Sequence, residues 1–225
     1  MRDEQAMTPY PTFIAWLCRF VAQSIARVKV EGLEDLPQEG PLIIAANHMS
    51  NIDPPIIGGW LGPALNRRPT FLAKEALFGG PLGIFIRSLG AQPVKAGGND
   101  IGAYRAAKSI LDKGGVVAIL PEGTRSFDGV MGTPRPGVSL LATRTGTLVL
   151  PVGISGTSTL LGREQVFPRI GARVILRVGR PFRLTIPAGA DRRAALADAD
   201  REMMRRIAAL VEPQHRGEWE PWRSD

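Results

Sequence analysis

The stretch Pro41-Leu42-Ile43-Ile44-Ala45-Ala46-Asn47-His48-Met49-Ser50-Asn51-Ile52-Asp53-Pro54-Pro55 changes character twice. Its first six residues are an uninterrupted apolar run, the pattern of a short strand buried on both faces. A polar loop follows. Asp53 then reads as an N-cap with proline at the first helical position, opening a helix through about Leu61. Strand, loop and helix in that order form the repeating unit of an α/β domain, and the loop after a strand's carboxyl end is where such folds place their sites.

The same alternation continues on both sides. Val28 to Glu31 alternates apolar and charged, as a half-exposed strand does, and Thr70 to Ala73 and Ala91 to Val94 are brief strand candidates. Asn99 or Asp100 is expected to cap a helix whose inward face is Ile101, Tyr104, Ile110 and Leu111, stopped by Gly114-Gly115. Val116 to Leu120 is a buried-strand run, Pro136 to Gly146 fits a short helix, and Thr147 to Ile154 is again apolar and β-branched. Arg173 to Val178 alternates, and Leu196, Met203, Met204, Ile207, Leu210 and Val211 mark a last helix. The expected architecture is a single α/β domain, a mainly parallel or mixed sheet layered between helices. Residues 28–212 form that domain, 1–27 an N-terminal amphipathic helix, and 213–225 an irregular tail.

Composition bounds the rest. The chain has 225 residues, 44% hydrophobic and 22% charged, enough for one substantial core and too apolar for a disordered chain. Cys18 is the sole cysteine, which excludes an intramolecular disulfide framework and a cysteine-based zinc site; no metal is expected. Basic residues number 28 against 21 acidic, and 23 of the 28 are arginines. Arg163, Arg169, Arg173, Arg177, Arg180 and Arg183 crowd one stretch opposed only by Glu164. This is either a surface for anions or a solvated strand face. No aromatic interleaving or nucleic-acid-binding motif accompanies it, so nucleic acid is not an expected partner.

Between Tyr10 and Ala26, Phe13, Trp16, Leu17, Phe20 and Val21 recur at helical spacing, but the segment falls short of the roughly 20 apolar residues of a membrane span. Such a helix either lies in a membrane interface or caps the core. Without a secretory signal, the expected location is the cytosol or the cytoplasmic face of the membrane, as a peripheral protein. Ala76 to Ile86, apolar and glycine-rich, reads either as part of an apolar tunnel or membrane-contacting surface, or as a buried loop and helix.

Two blocks carry chemistry. Asp53 lies five residues after His48, and the loop between them lets its carboxylate fold back to the imidazole. A carboxylate accepting from one ring nitrogen fixes the tautomer and leaves the other nitrogen to take a proton, the arrangement of a general base. The alternatives are a simple helix cap and a core histidine. No Gly-x-Ser-x-Gly elbow or P-loop supplies a nucleophile, so a base here would activate a substrate group. The second block, Leu120-Pro121-Glu122-Gly123-Thr124-Arg125-Ser126, follows a buried strand. Its glycine, hydroxyls and guanidinium suit a phosphate or carboxylate. Alternatively it is a polar turn in which Arg125 pairs with Glu122 or Asp128.

Asn47-His48-x-x-x-x-Asp53 and Pro121-Glu122-Gly123-Thr124-Arg125-Ser126, in that order, resemble the first and third motifs of the glycerolipid acyltransferase family. Leu150-Pro151-Val152 resembles the fourth, and Arg135-Pro136-Gly137 the basic element between them. The second motif departs from the pattern: in Leu89-Gly90-Ala91-Gln92-Pro93-Val94-Lys95-Ala96, Ala96 stands where that family carries arginine. Lys95 and Arg87 are the nearby candidates to replace it.

The resemblance, which spans roughly Val28 to Gly179, implies transfer of a fatty acyl group from acyl-CoA or acyl-carrier protein to a lysolipid hydroxyl. The implied acceptor is 1-acyl-sn-glycerol 3-phosphate. His48 would be the base and Asp53 its orienting partner. Glu122, Gly123, Thr124 and Arg125 would hold the acceptor phosphate, and Pro151 would shape the acyl pocket. No cofactor is implied beyond the acyl donor as co-substrate; the implied partners are the lysolipid, the donor and a membrane surface. The alternatives are the same chemistry on another lysolipid and a non-catalytic peripheral module that binds anionic lipid.

Overall fold

A computed structural model describes residues 5–94 and 101–222. The apolar runs become strands β1 (Ala26–Glu31), β2 (Leu42–Ala46), β3 (Thr70–Lys74), β4 (Ala91–Val94), β5 (Val116–Ile119), β6 (Leu148–Ser155) and β7 (Ala172–Val178). They form one seven-stranded sheet in the order β1-β7-β6-β2-β5-β3-β4. Every pairing is parallel except β6 with β7. The sheet is therefore mixed, as expected, with the fully buried β2 at its centre.

Alternation along β2 builds two cores, because successive side chains leave opposite faces of a strand. Leu42, Ile44 and Ala46 pack with α1 (Pro9–Ile25) and α2 (Asp53–Leu65), through Ala22, Ile57, Leu61 and Leu65. Ile43 and Ala45 face α4 (Ile101–Asp112), α5 (Val138–Thr145) and α7 (Arg192–Ala208), through Leu111, Leu141, Met203 and Ile207. From β2 the chain crosses by α2 to β3, whereas from β5 it crosses by α5 to β6 on the other side of β2. The carboxyl ends of β5, β2 and β6 thus flank a topological switch point, the crevice in which open α/β sheets bind ligands.

Several local expectations change in detail. Asp53 is the first helical residue rather than the cap; Ile52 occupies the cap position. In α4, Ala107 and Leu111 are the buried residues, while Ile101, at the start of the helix, is half exposed. The capping residues Asn99 and Asp100 lie outside the described residues. The segment after β3 forms a 3₁₀ turn, Glu75–Phe78, and then α3 (Gly80–Ser88). Leu77, Leu82, Ile84 and Phe85 are exposed there, so it is not a buried loop and helix. A one-turn helix, α6 (Thr157–Leu160), follows β6. Beyond Pro213 the chain lies back on the domain: the Trp219 indole donates to the Gly132 carbonyl (3.0 Å), and Trp222 stacks against Arg206.

The first helix forms where expected, but its small residues, not its aromatics, face the core. Ile14, Ala15, Cys18 and Ala22 are buried. Gly59 of α2 lets the two helices approach so closely that a Cβ there would sit 3.3 Å from the Cys18 Cβ. Arg19 is drawn into this crossing, its Nε donating to the Gly59 carbonyl (2.6 Å). Phe13, Trp16 and Phe20 stack along the opposite face, with centroids 6.0 and 5.5 Å apart, and are 55–56% exposed.

Candidate active site

His48 leaves the end of β2 and meets the Asp53 carboxylate at the start of α2, Nδ1 to Oδ2, at 2.9 Å. The same oxygen accepts from the backbone N–H groups of Met49 and Ser50, both at 2.7 Å. The loop therefore closes on the carboxylate as a tight turn, and this is why Asp53 serves the turn rather than the helix end. Asp53 is fully buried, and its other oxygen, Oδ1, has no hydrogen-bond partner among the described residues. The His48 side chain is 15% exposed. With Nδ1–H donated to the carboxylate, Nε2 presents a lone pair, and no described residue occupies it.

Neighbouring loops hold this turn rigid. The Asn47 side chain donates to the Ile154 carbonyl (2.9 Å) and accepts from the Ile154 N–H (2.8 Å), so it acts as an extra rung between β2 and β6. Ser50 Oγ donates to the Leu161 carbonyl at 2.5 Å. The Ser126 N–H donates to the His48 carbonyl at 2.8 Å, joining the two sequence blocks directly.

Glu122 belongs to this scaffold. Its carboxylate accepts from the His48 N–H through one oxygen and from the Gly132 N–H through the other, each at 2.9 Å. It is buried, and burial pushes its pKa above the usual carboxylate range against the lowering effect of those two bonds. Both oxygens are engaged, so Glu122 ties the His48 loop to the loop of Gly132. Gly123 adopts φ +65°, and a Cβ there would lie 2.6 Å from Arg135 Cδ. Glycine is required both by the left-handed turn and by the passage of Arg135 over it. Thr124 is exposed beside this turn. Arg125 pairs with neither Glu122 nor Asp128; its Nη1 donates to the Arg163 carbonyl at 3.3 Å.

The remaining candidates separate. Arg87 ends α3, which runs back from the carboxyl end of β3 to the start of β4, so Arg87 lies at the edge of the sheet opposite His48. Its guanidinium stacks on Phe78, 4.8 Å from the ring centroid, and its carbonyl accepts from Arg68. It does not join the site. Lys95 lies outside the described residues. Pro151 is buried within β6 opposite Ala45, and its carbonyl accepts from the Gly179 N–H at 2.9 Å. Its ring abuts Gly179, where a Cβ would come within 2.9 Å of Pro151 Cγ. A proline is tolerated there because its missing N–H faces the side on which the β6–β7 ladder ends. The arginine-rich stretch also divides. Arg177 pairs with Glu31 (2.7 Å) and Arg173 with Glu212 (3.3 Å), as on an ordinary strand face, while Arg163 and Arg169 line a cavity beside the His48 loop. Nothing in the sequence distinguished Arg163 from its neighbours, because its position depends on the fold of a long loop.

Residues 27–155 match the family model described as acyltransferase. The chloroplast 1-acyl-sn-glycerol-3-phosphate acyltransferase LPAT1 of Arabidopsis thaliana is 31% identical over 156 residues, 67% of this chain and 42% of that protein. The 1-acyl-sn-glycerol-3-phosphate acyltransferase of Pseudomonas aeruginosa is 32% identical over 143 residues, 62% of this chain and 53% of the relative. Among solved structures, the 1-acyl-sn-glycerophosphate (LPA) acyltransferase PlsC from Thermotoga maritima aligns with a TM-score of 0.69 and 27% identity. That alignment covers 89% of this chain and 79% of the other. The chain spans about half the length of the curated relatives it matches.

Proposed function

Because the chain belongs to the acyltransferase family, we propose that it transfers a fatty acyl group from an acyl thioester to the free hydroxyl of 1-acyl-sn-glycerol 3-phosphate, giving phosphatidate. The observation that carries this reading is the His48–Asp53 pair with its open Nε2. Nε2 takes the hydroxyl proton as the oxygen attacks the thioester carbonyl, and the buried carboxylate stabilises the imidazolium that forms. Collapse of the tetrahedral intermediate breaks the carbon–sulfur bond, and the imidazolium returns the proton to the departing thiolate. Atoms and charge balance without a metal or redox cofactor; the donor is acyl-CoA or acyl-carrier protein. The test is a panel of lysolipid acceptors assayed with each donor. Thiol release with 1-acyl-sn-glycerol 3-phosphate is expected, with far less on acceptors lacking an anionic phosphomonoester. Turnover confined to a phosphate-free acceptor would refute the assignment.

Such an acceptor resides in a bilayer, and the exposed ring stack of α1 suits docking to a membrane surface. No helix among the described residues is long and apolar enough to cross a membrane. Burying half the exposed area of Phe13, Trp16 and Phe20 would be worth about 3–4 kcal/mol at ~25 cal/mol per Å². Replacing all three with serine is therefore expected to lower partition into anionic phospholipid vesicles by roughly 100- to 1,000-fold. The melting temperature should change little, because these rings contribute little to the core. Unchanged sedimentation with vesicles would remove α1 from the docking surface.

A further inference from the structure

Arg163, in the loop after α6, approaches the second sequence block from across the crevice. Its Nη1 donates to the Arg125 carbonyl at 2.8 Å and lies 3.5 Å from Thr124 Oγ1. Arg125 returns a bond to the Arg163 carbonyl, so the two arginines lock the loops together through main-chain oxygens. Each of these bonds uses one of the five N–H donors of a guanidinium. Among the described residues neither arginine forms an ion pair with a carboxylate.

The Arg163 guanidinium lies over the Phe127 ring, 3.6 Å from its centroid. Phe127 is itself 79% exposed, so the ring fixes the plane of the cation and shields one of its faces without belonging to the core. Beneath the pair opens a cavity of about 290 Å³ lined by Met49, Ser126, Ser158, Thr159, Arg163 and Arg169, among others. Met49 directly follows His48, which places this cavity beside the catalytic turn. Among the described residues that line it Asp128 is the only acidic one, and its carboxylate is turned to Ser126 Oγ (3.0 Å) and the Val130 N–H (3.1 Å). Arg163 borders the cavity hydroxyls, and Arg125 is tied to it through main-chain oxygens; both keep spare N–H donors and no counter-anion among the described residues, which suits a phosphate.

We propose that Arg163 is a further binding residue for a substrate phosphate beside His48, next to Arg125, to which the family resemblance already gives that role. The inference rests on the acyl-transfer reading for the identity of the ligand, although the site itself can be tested without turnover. The phosphate chemistry is shared by the acceptor headgroup and by CoA, and the experiment separates them.

The full chain is titrated calorimetrically, with no thioester present, against a soluble short-chain 1-acylglycerol 3-phosphate, against CoA, and against the matching monoacylglycerol. Arg163→Ala is expected to weaken binding of a phosphate ligand by roughly 10- to 100-fold. Arg163→Lys, which keeps the charge but loses the planar fork, should fall between, and the exposed Arg192→Ala should match the unsubstituted protein. A loss confined to the lysolipid assigns the site to the acceptor headgroup, and one confined to CoA assigns it to the donor; either supports the site. Unchanged affinity for both phosphate ligands would overturn it. So would an equal loss for monoacylglycerol, or an unsubstituted protein that binds neither phosphate ligand. A chain that binds the lysolipid through Arg163 yet transfers no acyl group would refute the reaction and leave the site standing.

Discussion

His48→Ala is expected to lower the rate of acyl transfer by roughly 10³-fold, within the range that a positioned general base contributes. The loss should fall on kcat, because the imidazole acts on the hydroxyl proton rather than on the headgroup. Folding should survive: after the substitution Asp53 Oδ2 still accepts from Met49 and Ser50, so the turn keeps two of its three bonds. The melting temperature should therefore stay within a few degrees while thiol release collapses. Full activity in a folded His48→Ala protein would remove the imidazole from the reaction.

Asp53→Ala should be more damaging, because it attacks both chemistry and structure. One carboxylate oxygen holds His48 Nδ1 and two buried backbone N–H groups. Truncation leaves those two donors unpaired at about 1–3 kcal/mol each, and stability should fall by roughly 2–5 kcal/mol. The imidazole loses both its fixed tautomer and the anion that stabilises its charged form, for a further loss of roughly 10³- to 10⁴-fold in rate. Asp53→Asn separates the two effects. Its amide oxygen can take the place of Oδ2 and keep the turn closed, while the negative charge is gone. Its NH₂ falls where Oδ1 lacks a partner among the described residues, so a modest loss of stability is expected. A folded Asp53→Asn protein with a rate reduced roughly 100-fold or more is the expected result, read by thermal melting beside steady-state thiol release. Undiminished turnover in that variant would make Asp53 a structural residue only.

Much of this site could be read from the linear chain because its parts are local. The β2 run ends where the polar loop begins, and His48 and Asp53 are close enough in sequence for one turn to join them. The strand run before Pro121 likewise places the second block at the carboxyl end of β5. A residue's type and position in the chain do not show which partners its side chain meets. Glu122 looked like part of an anion cradle, yet it is an acceptor for two backbone amides from separate loops. Arg87 looked near enough to replace a missing arginine, yet α3 carries it to the far edge of the sheet. Whether the aromatic face of α1 packs on the core or meets a membrane was open in the sequence; the close crossing at Gly59 turns the small residues of α1 to the core and leaves the rings outside.

By itself the sequence determined the alternation of strands and helices, a buried strand ending at His48, and a loop short enough for Asp53 to reach the imidazole, because each depends on contacts within a few residues. Only the tertiary structure decided that β1 pairs with β7, whose Arg177 meets Glu31 across 146 residues of chain. It also decided that Arg163 alone of its crowded stretch reaches Arg125. These contacts join segments remote in the chain, whose proximity is set by sheet order and loop packing; no local propensity or spacing encodes them.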